Sequence, residues 1–249
     1  MTDYTEARET AGAANWAPVR YRLHGSPDSA NYVVRMILEE LGQPYDYVPV
    51  DRLVSEQKST HYRRLNPQGL IPVLEVPGQD APLFETGAIL LLLADRHGAL
   101  APDPSSPARG RFLKWLFFIS NTLHSDLRIS FKVKRYLPDE SRHALFSQTL
   151  TGRIAASLEH LDAEIAATGG PYLLGKSLSC ADFYVAACAR WAQVYPSAGR
   201  WTLENTPHLR ALLQLLETRP SVETASRKEQ IEGAPFTDPR AASLPGATA

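Results

Sequence analysis

Between Val19 and Gly98 the hydrophobic pattern switches repeatedly between the period of a strand and the period of a helix. Val19 to His24 alternates and contains Tyr21 and Leu23, which predicts a first strand. Gly25-Ser26-Pro27-Asp28 is a turn signal. From Asn31 the apolar residues Val33, Val34, Ile37, Leu38 and Leu41 recur at helical spacing, and Gly42 stands where a helix end favours glycine. Tyr45 to Val50 predicts a second strand, and the polar stretch from Ser55 to Leu65 a short helix or irregular segment. Ile71 to Val76 and Pro82 to Phe84 predict two short strands around Pro77-Gly78. Glu85 to Arg96 is an apolar helix ending near Gly98. The order is β-α-β-α-β-β-α. A βαβ start requires parallel pairing with a right-handed crossover, and the closing ββ pair adds an antiparallel edge. A small mixed sheet with helices on both faces satisfies both.

That order is the thioredoxin-like arrangement, expected over residues 19–100. Ala101 to Pro107, APDPSSP, has the composition of a linker. Beyond it the patterns are helical throughout, predicting an all-α bundle over 108–232: Phe112 to Phe131, Arg142 to Ala167, Ser179 to Val194, and a helix carrying Leu209, Leu212, Leu213 and Leu216. The first 18 residues are polar and lack the apolar core of a signal peptide, so they are expected to be a flexible extension. Residues 233–249 are rich in Pro, Ala and Ser and are expected to be a disordered tail. Net charge is −1 among 249 residues, which argues against nucleic acid as a partner. No apolar run approaches the roughly 20 residues that span a bilayer, which argues against a membrane. Cys180 and Cys188 fall eight residues apart in one predicted helix. At about 12 Å of helical rise they are too far apart for a disulfide, and a cytoplasmic location is expected.

Five segments occur in order: LHGSPDSANYVVRMILEELGQPYD (23–46), NPQGLIPVL (66–74), LFETGAILLLLADRHG (83–98), WLFFISNTLHSDL (115–127) and LLGKSLSCADFYVAA (173–187). In this order and spacing the chain resembles the cytosolic glutathione transferase superfamily, most closely bacterial beta-class members. The resemblance covers residues 19 to 230. It implies glutathione as co-substrate, a small hydrophobic electrophile as second substrate, and a homodimer; it implies no metal. It makes Ile71-Pro72 the family's cis-proline position, where an outward-turned main chain pairs with the cysteinyl part of the tripeptide. Glu85-Thr86 opens a helix whose positive end suits a carboxylate, with the Thr86 hydroxyl as a donor and Glu85 as acceptor for an ammonium. Gln68 is the candidate to reach the glycyl carboxylate, with a solvated loop amide as the alternative. His124 stands where beta-class enzymes have a histidine facing the active site, and is assigned to the substrate pocket. Ser179-x-x-Asp182 is a capping box, which makes Asp182 structural. Trp115, Phe117 and Phe118 are expected in a core or interface.

A transferase must hold glutathione as thiolate, although a free thiol titrates near 8.5. The family supplies a donor in the loop after the first strand. Here that loop is Ser26-Pro27-Asp28-Ser29-Ala30-Asn31. An ungapped register puts Ala30 in the beta-class cysteine column and Asp28 near the serine column, and both are departures. Leu70, just before the Ile-Pro pair, replaces a frequent glutamine. Ser29 is the expected thiolate donor, with Asn31 as the alternative. The expected function is a glutathione transferase. A glutathione-dependent peroxide or disulfide reductase, and a non-catalytic binding or scaffold protein, are the alternatives.

Overall fold

The computed structural model describes residues 20–196 and 199–242, so the expected N-terminal extension and Val19 lie outside the described residues. Four strands form one sheet in the order β2-β1-β3-β4: β1 Tyr21–Gly25, β2 Tyr45–Pro49, β3 Val73–Glu75 and β4 Leu83–Phe84. β1 pairs parallel to β2 from Tyr21 opposite Tyr45, and antiparallel to β3 with Leu23 opposite Leu74. β3 pairs antiparallel to β4 with Val73 opposite Phe84. The helices of this half are α1 Asn31–Glu40, α2 Tyr62–Leu65 and α3 Thr86–His97. Every residue of α1 from Asn31 to Leu38 is buried, because sheet and helices enclose it on all sides. Gly98 ends α3 at φ +59°, the left-handed conformation that glycine adopts without strain.

The second half is helical: α4 Arg109–Phe118, α5 His124–Ser130, α6 Val133–Tyr136, α7 His143–Thr168, α8 Cys180–Val194, α9 Pro207–Glu217 and α10 Pro220–Lys228. The single helix expected over Phe112 to Phe131 is α4 and α5 joined by a wider π turn, Ile119–Leu123. Such turns shift the register of a helix and concentrate at functional sites. Trp115 is buried and meets Phe118 edge-on at 5.3 Å, while Phe117 is exposed. α9 buries Leu209, Leu212, Leu213 and Leu216, the apolar stripe read from the sequence. One large apolar core runs through both halves, with α1 packed against α8 and α10, and a smaller cluster of Val50, Tyr62 and Val73 carries Ile71 and Phe84 against it. No helix among the described residues is long and apolar enough to cross a membrane.

The expected loose tail is corrected for residues 233–242. Phe236 is fully buried and packs on Tyr32 with ring centroids 6.2 Å apart. The N–H groups of Phe236 and Thr237 each donate to Glu217 Oε1 at 2.8 Å. One aromatic anchor and one carboxylate outweigh a composition that reads as loop. Residues 243–249 lie outside the described residues.

Asp182, fully buried in the first turn of α8, accepts from the Ser179 N–H and hydroxyl, each at 2.8 Å, and from the Leu173 N–H at 2.8 Å. Burial pushes its carboxyl up to about 6 although these donors pull it down. Asp182→Ala orphans three donors at once. It is expected to cost about 3 kcal/mol, at 1–3 kcal/mol per unsatisfied buried group with partial relaxation. Equilibrium urea unfolding measures the loss, and the folded fraction should keep its ligand affinity.

Candidate functional site

The turn 66–72 is built around Asn66. Its Nδ2 donates to the Leu70 carbonyl at 2.9 Å, and its Oδ1 accepts from the Gln68 N–H at 3.0 Å. Tyr62 donates its hydroxyl to the same Leu70 carbonyl at 3.0 Å. The bond between Ile71 and Pro72 is cis. Neither the N–H nor the carbonyl of Ile71 has a hydrogen-bond partner among the described residues. The register of β3 on β4 carries this turn alongside Glu85-Thr86. Gln68 Nε2 donates to Glu85 Oε1 at 3.1 Å, which ties the turn to the start of α3.

Glu85 is exposed and has φ +72°, and Thr86, buried, is the first residue of α3. No side chain caps this helix, so its first N–H groups and positive end stay available to an anion. The Thr86 and Ser120 hydroxyls flank the buried Tyr184 hydroxyl. Gly87 lies against Ser120, whose Oγ would sit 3.2 Å from an added Cβ. The structure therefore brings Gln68, Ile71, Pro72, Glu85 and Thr86 together at one end of β3 and β4: a free main-chain donor and acceptor, a carboxylate, an amide and an uncapped helix start.

The loop after β1 is locked from behind. Asp28 is held at φ +50° with its side chain buried. Its carboxylate accepts from Arg190 Nε at 2.9 Å and Nη2 at 2.5 Å, from Trp191 Nε1 at 3.3 Å, and from the Tyr195 hydroxyl. Asp28, which departs from the hydroxyl of serine-type enzymes, thus anchors the loop to α8. Asn31 is fully buried: its Oδ1 accepts from the Ser26 N–H at 2.9 Å and from the Ser29 hydroxyl, and its Nδ2 donates to Glu229 Oε1 at 2.7 Å. Gly25 makes room, because a Cβ there would lie 2.3 Å from the Asn31 Cγ. Ser29 is half-buried, and its Oγ also lies 2.8 Å from the Ser26 carbonyl. It does not cap α1, which has no side-chain cap and no acid in its first turn. The positive end of α1 is therefore open beside the Ser29 hydroxyl, whereas the Asn31 amide is fully engaged.

His124 follows the π turn. Its Nδ1 is hydrogen-bonded to the Tyr184 hydroxyl at 2.7 Å, and its ring lies 5.1 Å from that of Trp191. Through Trp191 it stands one residue from the Asp28 anchor. Burial first, then the Arg128 charge, pushes its pKa down to about 4. The ring is thus neutral in the native protein and is expected not to titrate between pH 5 and 8, as its NMR chemical shift against pH will report. The folded value lies below the unfolded one of about 6.5. The native state therefore binds fewer protons in that interval, and this group makes stability rise with pH from about 4 to 6.5. A ring shift with a midpoint near 6.5 would contradict it.

Residues 23–104 match the glutathione S-transferase N-terminal domain, and residues 140–215 match the glutathione S-transferase C-terminal domain. The chain belongs to the glutathione S-transferase family. It is 31% identical over 217 residues to the glutathione S-transferase-like protein OpS6 of Beauveria bassiana, covering 84% of this chain and 95% of that one. Identity to the glutathione S-transferase GstA of Escherichia coli O157:H7 is 26%, over 85% of this chain and all of that protein. The crystal structure of a glutathione transferase homologue from Sulfitobacter, with bound glutathione, superposes with a TM-score of 0.73 at 26% identity, covering 84% of this chain and 98% of that one.

Two residues that hold the loop after β1 have no place in the sequence reading, Arg190 and Glu229. Arg190 had a local signal, since a charge inside the apolar run of α8 demands a buried partner. Glu229 had none, because its partners lie some two hundred residues earlier in the chain, as the Asp28 contact at a separation of 201 shows.

Proposed function

We propose that the protein binds glutathione across the 66–72 turn and the start of α3, and uses it as a thiolate against a small hydrophobic electrophile. The observation that carries this reading is the unpartnered Ile71 main chain beside the uncapped α3 and Glu85. Together these suit an extended peptide that ends in an ammonium and a carboxylate. The thiolate sits at the open end of α1 near Ser29. Its sulfur attacks the electrophilic carbon, and a C–S bond forms as the leaving group departs with its electron pair. The thiol proton has gone to solvent. His124 and Trp191 border the electrophile's side. The working protein is a homodimer in the cytoplasm, a location supported by two buried free thiols. Retention on glutathione-agarose with turnover of a chloronitrobenzene tests the reading. Thr86→Ala should weaken glutathione about tenfold or more in calorimetric titration, since a hydrogen bond to a charged group contributes about 1.5–3 kcal/mol. Unaltered affinity would sink the γ-glutamyl assignment.

A second reading, glutathione-dependent reduction of peroxides or disulfides, is favoured by the inward turn of Asp28, which leaves the serine-type column without a hydroxyl. Retention without conjugation would support it. Neither retention nor turnover would support a non-catalytic scaffold, the reading favoured by Leu70 in place of a glutamine.

A further inference from the structure

Glu229 lies just beyond α10 and is fully buried, yet its side-chain hydrogen bonds and ion pair reach α1 and the loop before it. Its Oε1 accepts from Asn31 Nδ2 at 2.7 Å and lies 2.6 Å from Arg35 Nε. Its Oε2 accepts from the Asp28 N–H at 2.9 Å. Other ionisable groups facing it are the Tyr32 hydroxyl from α1, the Tyr47 hydroxyl from β2 and the Asp28 carboxylate, which Arg190 neutralises.

We infer that Glu229 is a positioning residue for the thiolate chemistry, acting through Asn31 on Ser29. The inference rests on the glutathione reading above. An amide has two unlike ends; burial pushes the Glu229 carboxyl up to about 7, but the Asn31 NH2, the Asp28 N–H and Arg35 Nε converge on its oxygens, which makes it the acceptor. Glu229 therefore takes the NH2 end of Asn31 and aims Oδ1 at the loop. There Oδ1 receives the Ser26 N–H and holds the Ser29 hydroxyl. A reversed amide would set its NH2 against the Ser26 N–H, and the loop would have to move. Glu229 and Arg35 balance each other, as do Asp28 and Arg190, so the loop is clamped without cancelling the positive end of α1. A helix that closes the second half of the chain thereby fixes the geometry of a loop in the first. The pairing of the two halves becomes a condition for activating the thiol.

The test uses the full-length protein with Glu229→Gln. Its amide has one acceptor oxygen where three donors converge on two, so its NH2 is set against a donor. Ultraviolet absorbance of bound thiolate against pH gives the ionisation midpoint. Calorimetry gives the glutathione Kd, and chloronitrobenzene turnover gives kcat and KM. The expected result is a midpoint raised by about one unit, a tenfold weaker preference for thiolate, with Kd changed less than about threefold. Asn31→Ala should raise the midpoint similarly, and the double variant should add nothing further; Asn31→Ala alone decides if Glu229→Gln does not fold. A wild-type midpoint with only a lowered melting temperature would overturn the inference, and so would weakened binding without a midpoint change. Wild-type protein that fails to bind glutathione would overturn the glutathione reading itself, an outcome visible before any variant is made.

Discussion

Arg190→Ala is expected to destabilise the protein by about 3–5 kcal/mol, the range for removing one partner of a buried ion pair. The guanidinium is fully buried and all three of its nitrogens donate. Two nitrogens grip Asp28, Nη1 donates to the Pro235 carbonyl at 3.1 Å, and Nη2 also donates to the Arg240 carbonyl at 2.7 Å. Alanine leaves Asp28 with only Trp191 and Tyr195 as donors, and strips two carbonyls of the C-terminal segment. Melting should fall by about 10 °C, at the 2–4 °C per kcal/mol usual for this chain length. Limited proteolysis should cut the 230–242 segment faster. Asp28→Asn combined with Arg190→Met should cost less than Arg190→Ala alone, because no unpaired charge remains. The control is Arg20→Ala, whose exposed pair with Asp46 contributes less than about 1 kcal/mol. An Arg190→Ala loss no larger than that control would show that the buried pair is not what fixes the loop.

The fate of Arg190 also marks how far the sequence could be read. Elements set by short-range pattern were legible. The alternation in β1, the stripe Leu209-Leu212-Leu213-Leu216, the stop at Gly98 and the Ser179-Asp182 box all follow from residues within a few positions of one another. The resemblance added Ile71-Pro72, which no local rule could fix as cis. What stayed hidden was long-range pairing. Asp28 was visible as a departure from a hydroxyl column, but its reason lies in Arg190, 162 positions away. Asn31 reads as an alternative donor through its amide or its backbone N–H, and the sequence does not show that Glu229 engages the amide. Phe236 sat in a segment whose composition argued for disorder, and one buried ring outweighed it. In each case the deciding energy comes from a partner that hydrophobic period cannot name.

Ser29→Ala is expected to move the ionisation of bound glutathione upward by about one to two pH units. Holding a thiol with an ordinary pKa near 8.5 as thiolate at neutral pH needs about two units, or about 2.7 kcal/mol. An uncapped helix end supplies about 0.3–1 kcal/mol, and up to about 2 when partly buried. A charge-assisted hydroxyl bond supplies about 1.5–3 kcal/mol. The two together cover the requirement, and the hydroxyl is the larger share. The Ser29 proton is directed at Asn31 Oδ1 and the Ser26 carbonyl 2.8 Å away, so it turns from one acceptor to a stronger one when sulfur arrives. The rate at neutral pH should fall less than the thiolate fraction, because a thiolate of higher pKa is the better nucleophile. The decisive quantity is therefore the midpoint of the pH–rate profile, with rate recovering at alkaline pH and Kd nearly unchanged. With Glu229→Gln added, the two shifts should fall short of their sum, since both act through one hydroxyl. An unmoved midpoint in Ser29→Ala would transfer the thiolate to the main-chain N–H groups that open α1.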